Sequence, residues 1–413
     1  MRQRGFGLWA NGGVSRLQPI RVAQGHEDMK NNRVGRREFI GRLAGSTAGL
    51  TALSTRPVHG RPPQEAPAAA PRNSTPRIRF GVIGLNHSHI YGQTGAVLGG
   101  GGELISVFAK EPDLAAAFQK RFPQAKLARS EKEILEDGSI QLVLSASIPD
   151  ERAPLGVRVM QHGKDYMADK PGITTLEQLA EVRRVQAETQ RIYSIMYSER
   201  FENRATVRAG ELVRSGAIGR VVQTIGLGPH RMSPKTRPGW FFEGPRYGGI
   251  LCDIASHQAD QFLFFTGSTR AQVVSAQVGN LHNQQYSTFE DFGDMTVRGN
   301  GGTGYIRVDW FTPDGLATWG DGRLTILGTD GFIEVRKNID IAGRPGGSHL
   351  FLVDQKETRY IDCRDVPLPY GEQLVSDVVN RTEVAMPQAH CFLATELVLR
   401  AQAQAQRLMD VVP

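Results

Sequence analysis

The stretch Arg77-Ile78-Arg79-Phe80-Gly81-Val82-Ile83-Gly84-Leu85-Asn86-His87-Ser88-His89 decides the fold. Its apolar residues run straight into glycine, as a buried strand does before a sharp turn. Helical patterning takes over from Ile90 to Leu98, and Gly99 to Gly102 break the chain. Apolar runs at Leu104 to Phe108 and Gln141 to Ser145 then alternate with helical stretches at Leu114 to Phe122 and Ala153 to His162. That alternation predicts a parallel sheet with crossover helices on its faces.

In such a sheet the first strand-to-helix turn is where a dinucleotide pyrophosphate rests, on the N–H groups of the helix N-terminus. The fingerprint G-x-G-x-x-G reads here Gly84-Leu85-Asn86-His87-Ser88-His89. Gly84 keeps the tight turn. Asn86 stands at the second glycine position, and asparagine tolerates positive φ better than most residues. His89 stands at the third, so strand and helix approach less closely. The second strand ends Val107-Phe108-Ala109-Lys110-Glu111-Pro112, with Ala109 where an acid would hold the adenine ribose. Lys110 suits a 2′-phosphate and favours NADP over NAD. Glu111 is the acid if the strand runs one turn longer. His87 and His89 have no third ligand near them in sequence, so no metal is expected. They are expected to line the cofactor cleft or cap the helix.

Charge separates the chain into two regimes. Of 49 basic and 42 acidic residues, residues 1–60 hold ten and three, which leaves 39 of each beyond them. The net charge of +7 therefore belongs to the first 60 residues, and a basic nucleic-acid footprint on the remainder is excluded. Arg36-Arg37-Glu38-Phe39-Ile40-Gly41, followed by a weakly apolar run from Leu43 to Leu53, reads as a twin-arginine signal. Val58-His59-Gly60 is its candidate cleavage site, and Met29 is a candidate true start. Residues 1–60 are thus a leader and 61–76 a Pro/Ala linker. The reading predicts export of the folded chain by the twin-arginine machinery to the periplasm or beyond. A nucleotide cofactor would then be loaded in the cytoplasm and held tightly. No apolar stretch approaches the ~20 residues of a spanning helix, so no stable membrane span is expected. Cys252, Cys363 and Cys391 show no metal spacing and read as buried thiols.

Further motifs follow in order: Gly163-Lys164-Asp165-Tyr166-Met167-Ala168-Asp169-Lys170-Pro171, then Tyr197-Ser198-Glu199-Arg200-Phe201. After them come Glu211-Leu212-Val213 through Gly216-Ala217-Ile218-Gly219, and Gly248-Gly249-Ile250-Leu251-Cys252-Asp253-Ile254-Ala255-Ser256-His257. With the strand–turn start, they resemble the glucose–fructose oxidoreductase/inositol dehydrogenase (Gfo/Idh/MocA) family over about residues 77–400. The family usually has Glu-Lys-Pro where this chain has Asp169-Lys170-Pro171.

The resemblance implies an α/β Rossmann-type domain at 77–198. It implies an α+β domain at 199–413 with an open, mostly antiparallel sheet for substrate binding and homo-oligomer packing. Strand-like runs at Ala271 to Val278, Asp294 to Arg298, Gly304 to Trp310, Arg323 to Leu327 and Phe332 to Val335 agree with such a sheet. A helix from Ala389 to Leu408 closes the chain. By the same resemblance NADP or NAD is held by Gly84, Asn86, His87, His89, Lys110, Ser147, Pro149, Lys170 and Pro171.

Lys170, Asp253 and His257 are the catalytic candidates, and Arg200, Trp240, Asp253 and His257 the substrate contacts. Asp253 and His257 share one face if Ile254 to Phe265 is helical. Asp253 is then expected to orient His257 and hold its protonated form, unless it is only a helix cap. Trp310 and Trp319 are weighted toward core or interface, and Trp240 toward substrate. The implied reaction is hydride transfer at a secondary alcohol of a sugar or polyol. Two alternatives stand beside it: glycoside cleavage with a recycled cofactor and no net redox, and non-catalytic carbohydrate binding.

Overall fold

The computed structural model describes residues 77–408. The expected leader and linker, with Arg36-Arg37, lie outside the described residues. The first half alternates as its sequence pattern requires: β1 (Ile78–Ile83), α1 (His89–Gly99), β2 (Gly102–Phe108), α2 (Pro112–Arg121), β3 (Lys126–Leu127), α3 (Glu131–Leu135), β4 (Leu142–Ser145), α4 (Pro149–Gln161), β5 (Asp165–Asp169), α5 (Leu176–Thr189) and β6 (Tyr193–Met196). All six strands are parallel, in the order β3-β2-β1-β4-β5-β6. β4, β5 and β6 are buried along their whole length, as strands covered on both faces are. The order reverses about β1, which opens a crevice at the carboxyl ends of β1 and β4.

The second half begins with α6 (Ser198–Phe201) and α7 (Arg204–Arg214), and α7 starts where the Asn203 side chain accepts from Thr206 N–H. β7 (Val221–Pro229), α8 (Gly244–Tyr247), α9 (Ile250–Asp253) and α10 (Ala255–Thr266) follow. Then come β8 (Ala271–Gly279), β9 (Phe292–Gly299), β10 (Thr303–Asp309), β11 (Arg323–Gly328), β12 (Gly331–Arg336), β13 (His349–Asp354) and β14 (Thr358–Asp362). Two helices, α11 (Tyr370–Asn380) and α12 (Gln388–Gln404), and the short β15 (Gln406–Arg407) complete the described chain. The nine strands form an open sheet, β14-β13-β12-β11-β7-β10-β9-β8-β15, antiparallel except at β7–β10 and β8–β15. The spacing of β7 hid it from sequence reading, yet it is the middle strand. α10 lies on it closely: a Cβ at Gly226 or Gly228 would come within 2.7 or 2.9 Å of the Gln258 side chain. Among the described residues no helix is long and apolar enough to cross a membrane. All three cysteines are buried and free.

The last two helices return to the first sheet. Tyr193 N–H donates to Gln388 Oε1 at 2.9 Å, and Ser194 Oγ meets Tyr370 Oη at 2.8 Å. Arg200 belongs to this scaffold, which corrects its expected substrate role. Its guanidinium grips Asp260 with two bonds of 2.6 and 2.7 Å, and His390 Nε2 reaches the same carboxylate at 2.8 Å. α6, α10 and α12 are thereby pinned together. Burial opposes ionisation of Asp260, but Arg200 and His390 outweigh it and hold the carboxyl at about 2.

Asp260→Ala would strand a buried guanidinium and should cost about 3–5 kcal/mol in urea unfolding. The pair's contribution is present above the unfolded carboxylate range near ~3.9 and should fade as pH falls toward 2. Wild-type and variant stabilities should converge in that window.

Candidate active site

A cleft of about 400 Å³ opens between the carboxyl ends of the first sheet and the loops of the second half. His87, His89, Pro149, Lys170, Trp240, Asp253 and His257 all line it. Residues far apart in sequence therefore converge. Lys170 follows β5, while Asp253 ends α9 and His257 lies in the first turn of α10.

The partnership within that group differs from the expected one. Lys170 Nζ donates to Asp253 Oδ1 at 2.9 Å, and both are largely buried. Asp253 thus serves Lys170, not His257. The chain breaks helix between α9 and α10 at Ile254, so the two residues do not share one continuous helical face. His257 is 2% exposed and its Nδ1 has no hydrogen-bond partner. Burial lowers its pKa most, Lys170 and His89 add to this, and Glu199 opposes; the result is about 3. His257 is therefore a neutral base at physiological pH and is not held as an imidazolium.

Four further residues complete the site. Glu199 contacts Lys337 Nζ, and Gln258 Nε2 donates to Glu199 at 2.9 Å. Lys337 also reaches Gln261 Oε1 at 3.0 Å. Burial resists ionisation of Glu199, yet Lys337 carries it down to about 2. Glu199 lies inside the quoted Tyr197–Phe201 segment, one residue before Arg200, and could have been found there. Lys337 follows a strand 138 residues away and carries no local signal. His230 stands between Trp310 and Trp319, with ring centroids 5.2 and 4.6 Å away. Both tryptophans line the cleft; Trp310 is buried in the core as expected, whereas Trp319 is exposed. Arg152 is the fourth: a fully buried side chain on the cleft wall.

The nucleotide half is built as tightly. Gly84 has φ +84°, and a Cβ there would come within 2.5 Å of Ser147 Cβ, so the β1 and β4 turns nearly touch. Asn86 Nδ2 donates to Glu111 Oε1 at 2.8 Å. β2 stops at Phe108, yet Glu111 still reaches back to the first turn. Lys110 is drawn to Glu151 at 3.2 Å and is mostly exposed. The acid is hydrogen-bonded to the turn, while Lys110 lines the same small pocket and pairs with Glu151 instead. His89 Nδ1 lies 2.8 Å from Asp169 Oδ1, and His87 Nδ1 lies 3.3 Å from Asp169 Oδ2. Asp169 is the third group that sequence spacing did not place near the two histidines. Pro171 follows Lys170 through a cis peptide bond.

Residues 78–197 match the oxidoreductase family, NAD-binding Rossmann fold, and residues 206–334 match the GFO/IDH/MocA C-terminal domain. A solved structure from Erwinia carotovora atroseptica SCRI1043, assigned as an oxidoreductase, is 46% identical. It covers 80% of this chain and 100% of its own, with a TM-score of 0.78. The 1,5-anhydro-D-fructose reductase of Ensifer adhaerens is 26% identical over 48% of this chain and 59% of its own length. The scyllo-inositol 2-dehydrogenase (NADP(+)) of Bacillus subtilis strain 168 is 25% identical over 52% of this chain and 60% of its own. The chain spans between 40% and 60% of the length of the curated relatives it matches.

Histidine-resolved NMR should show no titration of His257 between pH 5 and 8, and a midpoint in that range would overturn its assignment as a neutral base. The unfolded chain takes up this proton first. His257 should therefore subtract stability as pH falls below about 6.5.

Proposed function

The chain belongs to the GFO/IDH/MocA family of oxidoreductases, and we propose that it moves a hydride between a secondary alcohol of a sugar or polyol and a nicotinamide nucleotide. The observation that carries this reading is the Lys170–Asp253 pair beside neutral His257 in one cleft. Two relatives named for sugar or polyol redox reactions support the substrate class.

The first turn fits a dinucleotide. Gly84 leaves the turn without a side chain where it abuts Ser147, and Glu111 stands beside Asn86 as an acceptor for a ribose diol. An acid there opposes a 2′-phosphate, which supports NAD over NADP. When bound, the nicotinamide accepts or returns the hydride. The protein's own part is positioning and proton handling. Asp253 keeps the Lys170 ammonium inside the cleft, where it can donate to the substrate oxygen and stabilise charge developing there. His257 takes the hydroxyl proton: it lines the cleft and is neutral, so a ring nitrogen is free to accept, although burial makes it a weak base. Trp240 and Trp319 offer flat apolar faces to a sugar ring.

Export and assembly extend the reading. Arg36-Arg37 before the Leu43 to Leu53 run supports twin-arginine export, which carries folded protein and would take a tightly bound nucleotide with it. Ile225, Leu327 and Phe332 are exposed on the nine-stranded sheet, which supports a homo-oligomer.

Lys170→Met and His257→Asn should each lower kcat/KM on the natural sugar by about 10²–10⁴ while leaving the fold intact. Full activity in either variant would overturn the assignment. Product analysis identifies the reaction: a ketosugar with reduced nucleotide supports the proposal, and released sugar without net redox would favour glycoside cleavage. Changing Arg36 and Arg37 together to Lys should abolish export of a reporter fused to residues 1–76, and unchanged export would refute the leader.

A further inference from the structure

We propose that His87, His89 and Asp169 form a binding site for one divalent transition-metal ion, open to the cleft on its remaining side. Each residue offers one ligand atom, and these atoms lie within 4.8 Å of one another. The His87–Asp169 and His89–Asp169 separations are 3.3 and 2.8 Å. A tetrahedral ion with ligands at about 2.1 Å sets neighbouring ligands about 3.4 Å apart, so small rotations suffice.

A second observation points to the same place. Asp169 is 1% exposed, and its Oδ2 has no hydrogen-bond partner. Arg152 Nη2 stands 3.1 Å from that oxygen, an ion-pair distance without a hydrogen bond. The oxygen is thus buried, charged and incompletely satisfied, on the side facing His87. Arg152 has other work, since it donates to the Ser147, Lys170 and Pro171 carbonyls.

The local charge permits a cation. Arg152 and Lys170 are positive. Asp169 and Asp253 answer them through the Arg152–Asp169 and Lys170–Asp253 pairs. Two imidazoles and a carboxylate suit zinc, cobalt or ferrous iron, whereas magnesium and calcium prefer all-oxygen shells. His89 would ligate through Nδ1 with its proton on Nε2. The open side faces the cleft, where water or a substrate oxygen could complete the shell. This inference does not depend on the nicotinamide reading.

The test uses untagged full-length protein, stripped with chelator and loaded with Co²⁺. About one equivalent should remain by elemental analysis, with visible d–d absorption and a raised Tm in excess Co²⁺. Mg²⁺ should give no shift. His87→Gln and His89→Gln should each weaken Co²⁺ binding at least about tenfold. Folded wild-type protein that retains no Co²⁺ would overturn the proposal. So would a folded double variant that binds Co²⁺ as tightly as wild type. Wild-type stoichiometry decides the matter even if a variant fails to fold. Nucleotide binding measured on the same samples keeps failure of this site separate from failure of the proposed function.

Discussion

Arg152 lies fully buried in the first turn of α4, and an unpaired guanidinium there would cost several kcal/mol. The structure answers with acceptors from two loops. Nε donates to the Ser147 carbonyl at 2.7 Å, and Nη1 to the Lys170 and Pro171 carbonyls at 2.5 and 3.1 Å. Those carbonyls cap the ends of β4 and β5. Ser147 is also the wall against which Gly84 closes. One side chain therefore sets the spacing of three strand ends, and with it the place from which Lys170 reaches into the cleft. The cleft is as rigid as this demand for satisfied donors makes it.

The acid–base arrangement follows from that rigidity. Lys170 enters a site with little solvent, where an ammonium needs a partner, and Asp253 supplies one at 2.9 Å. With its charge spent on Lys170, Asp253 cannot hold His257 protonated. Burial then decides, and His257 stays neutral. Glu199 is anionic because Lys337, in direct contact with it, prevails over the same burial. The cleft so contains fixed, paired charges beside imidazoles that burial keeps neutral, His257, His230 and His87 among them.

The first sheet was legible because its signals are local. Ile78 to Ile83 is an apolar run ending in glycine, and each following strand and helix repeats that grammar within a few residues. Lys170, Asp253 and His257 were legible through motif order, and they do converge in one cleft. Their pairing was not legible, because a short break at Ile254 re-aims Asp253 without any mark in the spacing. Arg200 misled for a related reason: a charged residue in a family-like segment reads as functional, and only the Asp260 carboxylate, buried on another helix, shows it to be scaffold. Lys337 and Asp169 act on partners 138 and 80 residues distant, where spacing carries no information. β7 was missed because Gly226 and Gly228 interrupt its apolar alternation. The close approach of α10 leaves no room for a Cβ at either position.

The departures from the dinucleotide fingerprint acquire a common cause in three dimensions. A third glycine lets helix and strand pack closely. His89 forgoes that approach and turns its ring to Asp169, the residue just before Lys170. Asn86, at the second glycine position, turns instead to Glu111, just past the end of β2 at the start of α2. Each replacement exchanges a backbone contact for a side-chain link between two strand ends. The turn at β1 is therefore bound to β2 through Asn86, to β4 through Gly84 and Ser147, and to β5 through His89. A glycine-rich turn gains its fit from the absence of side chains. This one is held in place by side chains, and its geometry should depend on their partners more than on its own backbone.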